Sequence, residues 1–138
     1  MMIAALMIFS LIACYYDWRW RIIPNLLCAA ILLTGFVIIA FRGDFPHWSA
    51  LLITFVIAIA LWRFRIWGAG DSKLLLAFFP MIDSQFYIAT IAFIGLTGCA
   101  TALIFLLYRR LSPCCKFNSV PYGIPIALSC FVTSVASF

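Results

Sequence analysis

The chain reads as an all-α polytopic membrane protein, a bundle of six transmembrane helices with both termini on the outer side (N-out, C-out). Of 138 residues, 67% are hydrophobic and only 9% charged, too little polar surface to coat a water-soluble domain. The mean hydropathy is +1.20, and the apolar residues come in runs broken by short charged clusters, the pattern of membrane-crossing helices. The basic residues fall almost wholly on one side of those runs, which sets the orientation.

Six apolar segments follow one another, roughly Met1–Tyr16, Asn25–Phe41, Trp48–Trp62, Asp71–Ile82, Gln85–Tyr108 and Pro121–Phe138. The first lacks a basic segment ahead of it, and its positive charges, Arg19 and Arg21, follow the apolar stretch. It therefore reads as a retained helix rather than a cleaved signal. The fourth is the shortest, spanning about 18 Å as a helix, with Pro80 near its end. Parity argues that it crosses, tilted or recessed in a thinned bilayer: otherwise Arg109, Arg110 and Lys116 would move outside. With the crossing kept, Arg19, Arg21, Arg63, Arg65, Lys73, Arg109, Arg110 and Lys116 share the cytoplasmic side, and of the nine basic residues only Arg42 lies opposite, near His47. Trp18, Trp20, Trp62, Trp67 and Tyr108 flank the cytoplasmic ends and Trp48 the outer one, as amphipathic rings do at headgroup level. No repeat or linker is visible, so residues 1–138 read as a single membrane-embedded domain.

The net charge of +5 is scattered at helix ends, not gathered in a stripe, which argues against a nucleic-acid partner. Cys14, Cys28, Cys99, Cys114, Cys115 and Cys130 form no C-x-x-C pair or zinc spacing and read as small apolar residues, although juxtamembrane Cys114 and Cys115 suit palmitoylation. His47 is the only histidine. Its outer position excludes H-E-x-x-H zinc chemistry and a Ser/His or Cys/His pair at the cytoplasmic face.

There is no Glu, and the acids are Asp17, Asp44, Asp71 and Asp83. The topology puts Asp17 and Asp71 at the cytoplasmic ends of the first and fourth helices and the other two outside. Two close carboxyls cannot both ionise cheaply, so one keeps a proton while the other is anionic. The anion can take a proton from an attacking water and the acid can hydrogen-bond the scissile carbonyl oxygen, which is aspartic-peptidase chemistry with no metal or cofactor. Taken singly, each has a plainer reading: Asp71 as a helix N-cap after Gly68 and Gly70, and Asp17 as a solvated loop acid beside Arg19 or Arg21.

Two motifs alter that balance. Gly68-Ala69-Gly70-Asp71-Ser72-Lys73 has the form G-x-G-D-x-K, and Asp17-Trp18-Arg19-Trp20-Arg21-Ile22-Ile23-Pro24-Asn25 joins an Asp through a basic stretch to Ile-Pro-Asn. A third element, Pro121-Tyr122-Gly123, opens the last helix. Together these resemble the prepilin peptidase family; G-x-G-D alone also resembles presenilin-like intramembrane peptidases. The resemblance implies a catalytic dyad of Asp17 and Asp71. It implies site-shaping roles for Gly68, Gly70, Lys73, Pro24, Asn25, Pro121, Tyr122 and Gly123.

Pro125 and the bulky Phe78-Phe79-Pro80 depart from the family pattern. The small size resembles the forms found in tight-adherence (Flp) pilus systems, lacking the N-methyltransferase domain of larger members. The implied reaction is removal of a short basic leader from type IV prepilins or pseudopilins, at the cytoplasmic face of the bacterial inner membrane. The implied partners are that polypeptide and the lipid bilayer. Two other readings stand beside it. One is a small transporter or channel subunit using Asp17 and Asp71 for cations or protons, although such groups usually lie nearer the midplane. The other is a non-catalytic assembly factor in which Gly35, Gly95 and Gly98 pack helices.

Overall fold

A computed structural model describes residues 2–43, 48–64, 67–111 and 120–137. Asp44, His47, Arg65, Cys114, Cys115 and Lys116 lie outside the described residues. Those described contain six α-helices and no strand: α1 (Met2–Trp20), α2 (Asn25–Arg42), α3 (Trp48–Arg63), α4 (Ala69–Phe78), α5 (Tyr87–Leu111) and α6 (Gly123–Ala136). Short 3-10 turns at Phe79–Met81 and Ser84–Phe86 join α4 to α5.

Several expected boundaries hold because local chemistry sets them. Pro24, extended at φ −62° and ψ 136°, precedes α2; proline fixes φ and turns the chain without needing a donor. Gly43 ends α2 in the left-handed region at φ 72°, where glycine has no Cβ penalty. Pro125 falls in the first turn of α6, where its missing N–H would have had no helical partner anyway. The first helix is longer than its apolar run: it continues through Asp17 to Trp20. It stops because Arg21 takes a left-handed conformation, φ 57°, with its N–H donating to the Asp17 carbonyl at 3.2 Å.

α4 is the hub. It packs against α2, α3 and α6, while α6 also packs against α1 and α5. The core is drawn from these faces, with Leu74, Phe78, Phe79, Ile31, Leu6 and Ile126 among the fully or almost fully buried residues. Close approach is local: a Cβ on Gly35 would stand 2.7 Å from Met81 Cγ, so glycine lets α2 press on the 3-10 turn that follows α4. Gly98 faces the Tyr122 ring, but a Cβ on Gly95 would meet nothing within 4 Å, so Gly95 is not a packing contact. Hydroxyl bonds tie the remaining seams, Ser72 Oγ donating to the Ala58 carbonyl at 3.2 Å and Thr97 meeting Ser129 at 3.0 Å.

The outward faces are as apolar as the inward ones. Ile8, Leu11, Leu33, Phe41, Ile53, Val56, Leu96, Ile104 and Leu107 are exposed, and helices apolar all round belong in a core or in lipid. Among the described residues one helix, Ser84–Tyr108, is long and apolar enough to cross a membrane; the stretches Asn25–Phe41, Leu51–Arg63 and Gly123–Ala136 are shorter.

Candidate active site

The C-terminal ends of α1 and α3 and the N-terminal ends of α2, α4 and α6 surround one pocket of about 620 Å³. Its lining includes Asp17, Arg21, Asn25, Trp62, Gly68, Gly70, Asp71, Lys73 and Tyr122. The two aspartates, far apart in sequence, therefore share a cavity, and each is within electrostatic reach of the other. Both are buried, Asp17 to 6% exposure and Asp71 to 9%.

Asp71 is the third residue of α4, and its Oδ2 accepts the Gly68 N–H at 3.1 Å. This is half of a capping box, made with a glycine that has no side chain to return the bond. The N-cap is therefore Gly68 and not Asp71, which caps the helix from its third position, and the same bond fixes the carboxyl at the pocket wall. Gly70 faces the Ile23 side chain, where a Cβ would stand at 3.4 Å, so the two motif stretches touch here.

Asp17 is held differently. Its carboxyl faces the backbone N–H groups of Gly123 and Ile124 at the start of α6, an end of a helix that favours negative charge. A Cβ on residue 123 would stand 2.8 Å from Asp17 Cγ, so only glycine leaves room for the acid. Oδ2 of Asp17 is buried with no hydrogen-bond partner among the described residues, a costly arrangement for a group with nothing to do.

The positions expected to shape the site also converge. Lys73 Nζ donates to Asn25 Oδ1 at 2.9 Å, bridging the N-terminal half of α4 to the first residue of α2, on the exposed rim. Pro24 sits behind Asn25 as the residue preceding α2. Pro121 is buried and Tyr122 half-buried ahead of Gly123. Phe78, Phe79 and Pro80 lie at the other end of α4 and are buried there, so their bulk fills the core and leaves the carboxyl end free.

Sequence reasoning missed four contributors. Arg21 was read as a topogenic charge, yet its guanidinium is within electrostatic reach of both aspartates and lies 5.5 Å from the Phe105 ring centre. The left-handed turn that puts it there has no residue-type signal, since such positions usually carry Gly or Asn. Trp62 and Trp67, read as interfacial anchors, also wall the pocket, and Ile23 forms its contact with Gly70. The basic run before Ile-Pro-Asn was the available clue for Arg21 alone.

A helical bundle with two buried carboxyls lining one pocket, beside a cation and helix N-termini, has the elements of an acid–base site suited to hydrolysis. The chain belongs to the type IV leader peptidase family, whose sequence model matches residues 4–107. The match takes in both aspartate motifs and ends before Pro121. Membership makes the chain, at family level, a protease of prepilin-type leaders. No curated relative and no solved structure matched.

Proposed function

We propose that the chain is a membrane-embedded aspartic endopeptidase. In this reading it removes the short basic leader of type IV prepilins or pseudopilins of the Flp, tight-adherence kind, at the cytoplasmic face of a bacterial inner membrane. Residues 1–138 act as one peptidase domain, and the six helices cross the bilayer N-out and C-out. The observation that carries this reading is the shared pocket of Asp17 and Asp71, with Asp17 Oδ2 buried and unpartnered among the described residues. The helix directions agree with the topology, since the ends expected on the cytoplasmic side all reach this pocket's end of the bundle.

The chemistry follows from the two carboxyls sharing one proton. The ionised member takes a proton from water as the oxygen attacks the scissile carbonyl. The protonated member donates a hydrogen bond to the carbonyl oxygen as charge develops there. Collapse of the tetrahedral intermediate breaks the C–N bond, and the leaving amine takes up a proton from the dyad. Arg21, near both acids, limits the cost of holding a negative charge in a buried site. Lys73 and Asn25 hold the rim that the two motifs form.

The direct test is leader removal by the purified chain in vesicles. Asp17→Asn and Asp71→Asn are each expected to lower kcat by roughly a thousandfold or more, the scale of a lost acid or base, while each variant still inserts. Normal cleavage by either variant would end the proposal.

A further inference from the structure

Between α3 and α5 runs an apolar cleft of about 320 Å³. Leu75 of α4 and Phe79 of the 3-10 turn after it line the cleft on one side, and Gly95, Cys99 and Ala102 line its α5 side. Trp67 and Tyr122 belong both to this cleft and to the pocket holding the aspartates. Cleft and pocket therefore adjoin at these two side chains, the cleft apolar along the helices and the pocket bearing the carboxyls.

The cleft is open rather than filled. A Cβ at Gly95 would meet no atom within 4 Å, and only 17% of the apolar window of α5 is buried. The lining residues of α5 run from Ile91 to Ala102, which at 1.5 Å per residue is about 16 Å, or three helical turns. In lipid, hydrophobicity does not distinguish a protein partner from an acyl chain; close backbone approach over small residues does.

We propose that this cleft seats the apolar α-helix of the polypeptide being cut, delivering the adjoining segment past Trp67 and Tyr122 to Asp17 and Asp71. The inference rests on the peptidase reading and adds where the substrate lies. A substrate touching both surfaces has a polar, extended part in the pocket and an apolar helix in the cleft. Specificity then comes partly from the shape of the α5 face and not only from residues at the scissile bond.

The test uses the full chain in phosphatidylethanolamine/phosphatidylglycerol vesicles with two probes. One is a basic leader-type peptide continued by an apolar helix of about twenty residues; the other is the same peptide ending before the helix. Gly95→Leu fills the cleft from an open position. It is expected to lower kcat/KM for the helix-bearing probe tenfold or more relative to the short one, mainly through KM. Leu96→Ala, on the 71% exposed side of α5, is expected to change neither. Equal losses on both probes, or no loss, would overturn the proposal.

A second readout does not depend on cleavage. In the Asp71→Asn background a bismaleimide is expected to join Cys99 to a single cysteine in the probe's helix, with the product lost on Cys99→Ser and on Gly95→Leu. Cleavage without that crosslink removes the cleft from the substrate's path and leaves the peptidase reading standing. A crosslink without cleavage by the unsubstituted chain keeps the docking site and overturns the peptidase reading. A crosslink indifferent to Gly95→Leu, or one joining two copies of the chain, overturns the docking site.

Discussion

Helix α4 has ten residues and buries Asp71, Ser72, Leu74, Leu75, Ala77 and Phe78, whereas α5 has twenty-five residues and leaves most of its apolar surface outward. The first is short because it is enclosed: α2, α3 and α6 surround it, so protein contacts rather than lipid satisfy its side chains, and its N-terminus opens on the polar pocket. The second is long and apolar enough to cross a membrane by itself, with little of its apolar window covered by protein. A short helix that would be marginal alone can thus hold a carboxylate at depth when three neighbours fix it.

Substitutions at the two helices separate these roles. Phe78→Ala at the buried end of α4 is expected to cost roughly 3 kcal/mol, the low end for a buried Phe because apolar transfer contributes less in apolar surroundings. Ile104→Ala on the exposed face of α5 is expected to cost under about 0.5 kcal/mol. Unfolding of the two variants in mixed detergent compares them directly, and equal costs would break the distinction between enclosed and lipid-facing helices.

At the active end, Gly123→Ala is expected to lower kcat by roughly a hundredfold, the scale of an ångström's misplacement of a catalytic group. Its Cβ would displace the Asp17 carboxyl, yet the helix it begins gains a better helix former. Activity should therefore fall with little loss of stability, which kinetics and unfolding on the same preparation check.

Below the lower apparent pKa of the pair both carboxyls are protonated and no base remains; above the upper one both are ionised and no acid remains. Activity is expected to fall on both sides of a maximum, with the two limbs belonging to the pair and not to either aspartate. EDTA is expected to leave the profile unchanged. A single limb, or inhibition by the chelator, would count against shared-proton chemistry.

Much of this arrangement was legible in the residues. The apolar run of α5 and the breaks at Pro24 and Pro121 marked elements that local chemistry dictates. The two aspartate motifs marked the pocket, because few other polar groups interrupt so apolar a chain. Lys73 and Asn25 were expected near the site through resemblance, and the structure joins them by a hydrogen bond.

What escaped the sequence is tertiary. Nothing local ends α1 at Tyr16 rather than Trp20, because none of Asp, Trp and Arg breaks a helix as Gly or Pro does; the end is set by Arg21 turning left-handed. The contact of Gly123 with Asp17 needs α1 and α6 to pack together, and the double duty of Trp67 needs α3 and α5 to stand apart over α4. Such relations come from which faces meet, and one helix's pattern does not contain them.

The proposed peptidase requires positions 17 and 71 to meet in a single cavity on one side of the bilayer. Single-cysteine substitutions at these positions, on a background with the six native cysteines replaced, are to be labelled with a membrane-impermeant maleimide from each compartment. The paired substitution is to be bridged with a short bismaleimide. Both positions are expected to react from the cytoplasmic side and the pair to crosslink within one chain; reaction from opposite sides, or no bridge between them, would rule out a shared site.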